Sequence, residues 1–194
     1  VNSFAYHMLS KLPVFANSLI ARVEMFLMNR FDMIYVVSEA MVHDKRNKGC
    51  KQKIICVPNG ATSKSVKFNK EHNYFEGPRL VYFGTLMPYW NFKYLKDAIN
   101  QLHQSSELPI VFLGDGPMQN YLENNIKRND LCSFHGRFNR DELGNLLNKE
   151  HDILLLPPKT PEDMILSGGL STKLFDYLSL GMPILAPSDG EINS

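Results

Sequence analysis

The chain has 194 residues, of which 44% are hydrophobic and 21% are charged, and its formal net charge is +1. A near-neutral charge disfavours binding to nucleic acid or to an acidic substrate, and the hydrophobic content suffices for a globular core. Eleven prolines and twelve glycines are close to average usage, which excludes a fibrous or low-complexity chain.

The first predicted element is a helix from Phe15 to Phe31, in which apolar residues recur at helical spacing (Phe15, Leu19, Val23, Phe26 and Leu27). Few basic residues accompany them, so we expect this face to pack against a sheet. Peripheral contact with a membrane is the alternative, also because Lys and Arg residues cluster between His43 and His72. We interpret that cluster as a solvated helix end followed by a linker.

Short apolar runs then alternate with segments of helical pattern. The predicted strands are 33–38, 54–58, 80–84, 110–114, 133–136, 152–157 and 183–187, and the predicted helices are 39–48, 91–104, 118–129, 141–149 and 171–180. Continuous apolar runs such as 153–156 are typical of parallel strands that are covered on both faces. The alternation predicts an α/β fold with a Rossmann-like, doubly wound parallel sheet.

A polar segment at 61–77 interrupts this alternation and is typical of a linker. We therefore predict a domain boundary near residue 75. Residues 1–75 would hold the last elements of one Rossmann-like domain and the linker, and residues 76–194 would form a second domain. Within that second domain, Asn139 and Glu142 form a capping-box pattern that predicts a helix start, and Gly181 predicts a helix end.

Ligands of parallel α/β sheets bind at the carboxyl ends of the strands, where loops and helix N-termini converge. One predicted strand ends in Gly84-Thr85 and the next in Gly114-Asp115-Gly116. The segment Ser167–Lys173 places two glycines before the last helix, where free backbone N–H groups favour phosphate. We expect Lys173 to add a positive charge and Asp176 to accept hydrogen bonds from ribose hydroxyls. An ordinary loop with an exposed Lys173–Asp176 ion pair is the alternative.

Other residue types that carry chemistry form no recognisable site. The six histidines are scattered and the three cysteines lack metal-ligand spacing, so the sequence predicts no metal site and a cytosolic setting with reduced thiols. We expect Trp90 to be a packing aromatic or to stack on a substrate ring. The Gly114-x-Gly116 pattern lacks a third glycine and follows the second strand of its domain, which disfavours a dinucleotide-dependent oxidoreductase.

Seven segments, taken in order, resemble the glycosyltransferases of family 4, also called group 1, which have the two-domain GT-B fold. The similar segments are Asp32–Glu39, Ile54–Gly60, Leu80–Leu86, Val111–Pro117, Phe134–Arg137, Asp152–Pro157 and Lys173–Ile184. The last is similar to the family's Lys-x-x-Glu-Tyr-x-x-x-Gly-x-Pro-Val signature. Asp176 replaces the usual Glu, and Gly168 stands at the first Glu of the family's Glu-x7-Glu motif.

This resemblance implies that the second domain holds a nucleotide-diphosphate sugar. The base would lie at Arg137 and Phe138, the ribose at Asp176, and the diphosphate at the amides of 168–172. The full expected donor-binding set is Gly84, Thr85, Arg137, Phe138, Gly168, Gly169, Leu170, Ser171, Thr172, Lys173 and Asp176. The resemblance further implies transfer with retention of configuration, without a cofactor or a divalent metal, because the nucleotide sugar is itself a substrate.

The partners implied are the donor and a saccharide or lipid-linked acceptor, with no nucleic acid. The corresponding role is synthesis of cell-surface polysaccharide or glycoconjugate in the cytoplasm, at the inner face of the membrane. By the same resemblance we expect the chain to be a piece that holds the end of the acceptor domain and most of the donor domain. Its catalytic residues are then unknown, and the piece alone is expected to be inactive.

Departures from the family pattern keep two other functions open. Thr85 and Trp90 stand near the places where the family carries a basic pair, so more of the diphosphate charge would rest on Lys173 and the helix start. A non-catalytic nucleotide-sugar-binding relative is one alternative, which the residues at Gly168 and Thr85 favour. A nucleotide-sugar 2-epimerase of the same fold is the other.

Overall fold

The computed structural model describes residues 14–61, 66–68, 77–160 and 171–187. The chain divides into two compact units, one formed by residues 1–59 and 161–170 and the other by residues 60–160 and 171–194. The boundary predicted near residue 75 lies outside the described residues and stays a prediction.

In the first unit, helix α1 (Val14–Met28) is followed by strand β1 (Met33–Val36), helix α2 (Glu39–Asn47) and strand β2 (Lys53–Cys56). The two strands are parallel. Ser38 caps α2, since its Oγ accepts a hydrogen bond from the Met41 N–H at 3.2 Å. Two basic side chains at the end of α2 form ion pairs within this unit, Lys45 with Glu24 of α1 and Lys48 with Asp44 of α2 itself. Among the described helices of the chain, none combines the length and apolar composition that crossing a bilayer requires.

The packing face predicted for α1 is wrong. Met25 and Met28 pack against the buried cluster of the unit, which contains Ile34, Val36 and Cys50. Most of the apolar side chains that the periodicity selected are exposed (Leu19, Val23, Phe26 and Leu27), and the side chain of Phe15 lies outside the described part. The helix carries apolar residues on more than one side, so periodicity alone could not identify the buried side.

The described part of the second unit contains five strands, which are β3 (Arg79–Phe83), β4 (Ile110–Leu113), β5 (Cys132–Phe134), β6 (Asp152–Leu155) and β7 (Ile184–Leu185). All pairs are parallel, and the strand order is β5-β4-β3-β6-β7. The helices of this unit are α3 (Phe92–Leu102), α4 (Gln119–Asn125), α5 (Leu143–Leu146) and α6 (Thr172–Leu178). The predicted α/β fold with a doubly wound parallel sheet is confirmed.

The central strands of this sheet are buried on both faces, as their continuous apolar sequences predict. Val81 and Tyr82 of β3 and Ile110 and Phe112 of β4 have no exposed surface. The chain builds β4 and β5 on one side of β3 and then crosses to place β6 on the other side. A crevice is therefore expected where β3 and β6 diverge at their carboxyl ends.

The helix predicted at 141–149 is shorter than expected. A 3-10 turn at Arg140–Glu142 leads into α5, and Glu142 accepts a hydrogen bond from the Asn139 N–H at 2.7 Å, as in the predicted capping box. The helix ends early because the buried Asp152 carboxylate accepts from the Asn148 N–H at 2.7 Å and so holds the chain in an extended path. The helix predicted at 118–129 also ends early, at Asn125. Gly181 has φ +62° in the turn after α6, consistent with its predicted place at a helix end.

Candidate functional site

The crevice between β3 and β6 contains the hydroxyl group of Tyr177, which is wholly buried. The two strands pair only as far as Val81 and Leu154. Beyond that point the Phe83 N–H donates to Tyr177 Oη at 3.1 Å, and Oη lies 3.2 Å from the carbonyl oxygen of Leu155. Burial raises the pKa of Tyr177, so the group remains a neutral donor and acceptor. Helix α6 therefore supplies, through one side chain, the hydrogen bonds that the strands no longer make with each other.

Lys173 reaches the same strand end from the start of α6. Its Nζ donates to the carbonyl oxygen of Phe83 at 2.7 Å. The ammonium also lies 4.6 Å from the ring centroid of Tyr82 and 5.9 Å from that of Trp90. Burial lowers the pKa of Lys173 to about 8, while the nearby Asp176 carboxylate acts in the opposite direction. The site thus holds, next to the end of β3, a lysine that loses its proton at a lower pH than an ordinary lysine does.

Two glycine loops meet at this edge of the sheet. Gly84 has φ +125°, and a Cβ built on it would overlap Nζ of Lys173. A Cβ on Gly114 would overlap the Gly84 carbonyl, and one on Gly116 would lie 2.5 Å from the Leu86 carbonyl oxygen. Glycine is therefore needed at these positions for close approach of backbone to backbone and to the ammonium. Gly114 and Gly116 serve the packing of one loop on the other.

Two Arg–Asp pairs lie on the surface around these loops. Arg137 Nε donates to Asp115 at 2.7 Å, and its side chain is 87% exposed. Arg140 donates to Asp176 at 2.8 Å, with both side chains partly exposed. The exposed Lys173–Asp176 pair considered from sequence is wrong, because Lys173 is turned inward to Phe83 and Asp176 is bonded to Arg140.

The remaining predicted site residues divide between described and undescribed parts. Phe138 packs edge-on against Phe83, with ring centroids 6.3 Å apart. The carbonyl oxygen of Thr85 accepts from Tyr82 Oη at 2.7 Å. Ser171 is the N-cap of α6, which begins at Thr172, and its Oγ accepts from the Lys173 N–H at 3.1 Å. Gly168, Gly169 and Leu170 lie outside the described residues.

Three residues that shape this site are not among the donor-binding residues predicted from the sequence. Tyr177 and the main chain of Phe83 are hydrogen-bonded to each other at the base of the site, and Arg140 is paired with the Asp176 carboxylate. Tyr177 could have been found from its spacing, because it follows Lys173 by four residues and so shares its helix face. Trp90 is buried, as expected of a packing aromatic. Within the described ranges, no group of three or more His, Cys, Asp or Glu residues could hold a metal ion.

Comparisons with known proteins agree with this architecture. A profile of the family described as "Glycosyl transferases group 1" matches residues 77–193. HepE from Anabaena, solved in complex with UDP-glucose, is 17% identical with a TM-score of 0.67, over 89% of this chain and 50% of that chain. The pneumococcal O-GlcNAc transferase GtfA, in complex with UDP and GlcNAc, is 16% identical with a TM-score of 0.59, over 84% and 31%. The lipopolysaccharide outer core galactosyltransferase WaaB in its apo form is 16% identical with a TM-score of 0.52, over 79% and 42%.

At these identities the likeness establishes a shared fold. The chain spans between about a third and a half of the length of these solved structures. The chain has no match among curated proteins.

Proposed function

Because the chain belongs to the group 1 glycosyl transferase family, we propose that its second unit binds the nucleotide-diphosphate sugar donor of a glycosyltransferase. The observation that carries this proposal is the contact between the β3 glycine loop and α6, where the Lys173 ammonium lies against Gly84 and bonds to Phe83. This contact brings the signature helix and a glycine loop to one edge of a parallel sheet, at the switch of strand order. Ligands of such sheets bind at that place.

The base, the ribose and the diphosphate of the donor would contact different residues along this edge. The base is proposed to contact the backbone near Arg137 and Phe138, and the ribose hydroxyls to donate to Asp176. The diphosphate would lie between the Gly84–Thr85 loop and the segment 168–172. Lys173 contributes positive potential to this region from its partly buried position next to Gly84.

Asp176 is available for a ribose because its present partner is weakly held. Its bond to Arg140 is an ion pair at 2.8 Å between partly exposed side chains. Such pairs contribute about 0–1 kcal/mol to stability, so two hydroxyl donors can replace the guanidinium at little cost. We propose that donor binding opens this pair.

For the whole enzyme we propose transfer of the sugar, with retention of configuration, to a saccharide or lipid-linked acceptor. The corresponding role is synthesis of cell-surface polysaccharide or glycoconjugate in the cytoplasm, at the inner face of the membrane. The family resemblance supports this assignment, and WaaB, which shares the fold, is itself a galactosyltransferase of the lipopolysaccharide outer core. The exposed apolar side chains of α1 are compatible with peripheral membrane contact.

Calorimetric titration of the protein with UDP, and with UDP-glucose and other nucleotide sugars, tests the donor site. UDP comes first because HepE and GtfA were solved with it. Asp176→Ala should weaken binding at least tenfold, since two hydrogen bonds to a charged acceptor are lost. The matched control is Asp130→Ala, which also removes an exposed Arg–Asp pair. Asp130 lies just before β5, at the amino end of that strand, whereas the proposed site lies at the carboxyl ends of the strands. Equal affinities in the two variants would remove Asp176 from the site.

Incubation of the full-length enzyme with a labelled donor, with and without acceptor, separates the three functions that the sequence leaves open. Transfer that depends on acceptor supports the proposed enzyme. Epimerisation of the donor without acceptor would indicate a 2-epimerase. Binding with neither reaction would indicate a non-catalytic relative.

A further inference from the structure

The last residue of β3 is held by helix α6 through both of its main-chain polar groups. The Phe83 N–H donates to Tyr177 Oη at 3.1 Å, and the Phe83 carbonyl accepts from Lys173 Nζ at 2.7 Å. Lys173 and Tyr177 are four residues apart on α6 and therefore project from the same helix face. One face of α6 thus holds both the N–H group and the carbonyl group of Phe83.

This peptide leads directly into the glycine loop. The Gly84 N–H donates to the Leu113 carbonyl at 2.8 Å, and the Leu86 N–H donates to the Asp115 carbonyl at 2.8 Å. Any rotation of the Phe83 carbonyl turns the Gly84 N–H with it, because the peptide unit is planar. The position of the loop at the edge of the sheet therefore depends on the two side chains that hold Phe83.

We propose that Lys173 and Tyr177 are positioning residues of the donor site, which hold the Gly84–Leu86 loop through Phe83, and that Lys173 is not a direct ligand of the diphosphate. This inference rests on the proposed function of the site. Its basis is that Lys173 Nζ is engaged by the Phe83 carbonyl and faces the rings of Tyr82 and Trp90. Moving the ammonium to a ligand would remove the 2.7 Å hydrogen bond from that carbonyl and leave it only the longer contact with the Tyr177 hydroxyl at 3.3 Å, which is costly in a buried setting.

Variants can separate positioning from direct binding. Lys173→Met removes the charge and the donor but keeps the length of the side chain, and Tyr177→Phe removes only the hydroxyl group. The buried Tyr177 hydroxyl is bonded to the main chain of Phe83 and Leu155, so its loss reaches a bound nucleotide through the ends of β3 and β6. The controls are Lys127→Met and Tyr94→Phe, which change exposed residues of the same unit.

Two measurements on the full chain are combined. The first is the dissociation constant of UDP and of UMP in each single variant and in the double variant. The second is amide hydrogen exchange at residues 84–86 without nucleotide, compared with exchange in α3, which reports any general loss of stability. We expect each single variant to weaken UDP and UMP binding by a similar factor, on the order of tenfold. The double variant should be weaker than either by no more than about threefold, because residues that act through one partner are not additive.

Hydrogen exchange at 84–86 should be faster in both single variants and unchanged in both controls. The proposal is overturned if Lys173→Met weakens UDP but not UMP, if Tyr177→Phe leaves both affinities unchanged, or if the two effects add. It is equally overturned if exchange at 84–86 is unaffected. If the unmodified protein binds no nucleotide, the proposed function fails, and the exchange measurement alone then decides whether these residues hold the loop.

Discussion

The ammonium nitrogen of Lys173 lies 2.7 Å from the carbonyl oxygen of Phe83, against a glycine that has no room for a side chain. This relationship joins the start of α6 to the end of the central strand. It also explains why a lysine that resembles part of a ligand-binding signature is directed inward in the described structure. A cation in this position donates a hydrogen bond to the last carbonyl group of the strand and raises the local positive potential at the same time.

Replacement of Gly84 by Ala should lower stability by about 1–3 kcal/mol, because φ +125° strains an L-residue and the new Cβ overlaps Lys173 Nζ. Gly181→Ala is the control, since Gly181 has φ +62° but open space around its Cβ position. Urea unfolding monitored by circular dichroism would give both values. If the two variants lose equal stability, the contact with Lys173 contributes nothing and the backbone strain accounts for the whole effect.

The stability contributed by Lys173 should depend on pH. Its pKa is about 8 in the folded protein and 10.5 ordinarily, so between these values the unfolded state binds more protons. The free energy of unfolding due to this group therefore rises from pH 8 to pH 10.5 and is lowest below pH 8. Around the ammonium, the Asp176 carboxylate acts against the lowering of the Lys173 pKa, while burial raises the pKa of Tyr82 and Tyr177, which stay neutral.

The measurement is the melting temperature of Lys173→Met minus that of the unmodified protein, recorded from pH 7 to pH 10. We expect this difference to fall as the pH rises, because only the unmodified protein gains stability as Lys173 loses its proton. Lys127→Met, at an exposed position, should give a difference that does not change with pH. A constant difference for Lys173→Met would show that the ammonium is not buried in solution.

Removal of Arg140 should leave nucleotide affinity unchanged or raise it by up to about threefold. Arg140→Ala frees the Asp176 carboxylate from its ion pair, so a ribose no longer has to displace a guanidinium. Calorimetry with UDP measures the effect, and Arg128→Ala, which breaks the exposed pair with Asp130, is the control. A tenfold loss of affinity would instead place Arg140 in direct contact with the nucleotide.

The buried pair of Arg79 and Asp152 should be important for stability but not for donor binding. Asp152 accepts from Arg79 Nη2 at 3.0 Å and from the Asn148 N–H at 2.7 Å, at the amino ends of β3 and β6. Asp152→Ala removes the carboxylate that pairs with the largely buried Arg79 guanidinium, which keeps its bond to the Leu146 carbonyl, and should cost about 3–5 kcal/mol. Chemical denaturation measures the loss. A variant that retains full stability would contradict the burial of this pair.

Chelation of divalent ions should not change the affinity for UDP, since the proposed site uses main-chain groups, Asp176 and a lysine. Titrations with and without EDTA, followed by addition of Mg²⁺, would measure this. Loss of binding in EDTA that Mg²⁺ restores would mean that a metal ion bridges the diphosphate to the protein.

The order and type of most elements could be predicted because the central buried strands are continuous apolar runs and several helices have a capping residue or a glycine end. Helix ends were less predictable, as at α5, which ends just before the Asn148 N–H donates to the carboxylate of Asp152 four residues further along the chain. The buried side of α1 could not be predicted, because apolar residues surround that helix and only its packing on Ile34 and Val36 selects Met25 and Met28.

For the site, the segments expected to meet follow from the order of the strands along the chain, because the carboxyl ends of parallel strands share one edge of the sheet. The contacts of each charged side chain are visible only in the folded protein. Lys173 and Asp176 are one turn apart on a helix, yet the first is directed inward to Phe83 and the second outward to Arg140. The physical reason is that local spacing fixes where a side chain starts, whereas the partner it reaches is supplied by strands and loops distant in the chain.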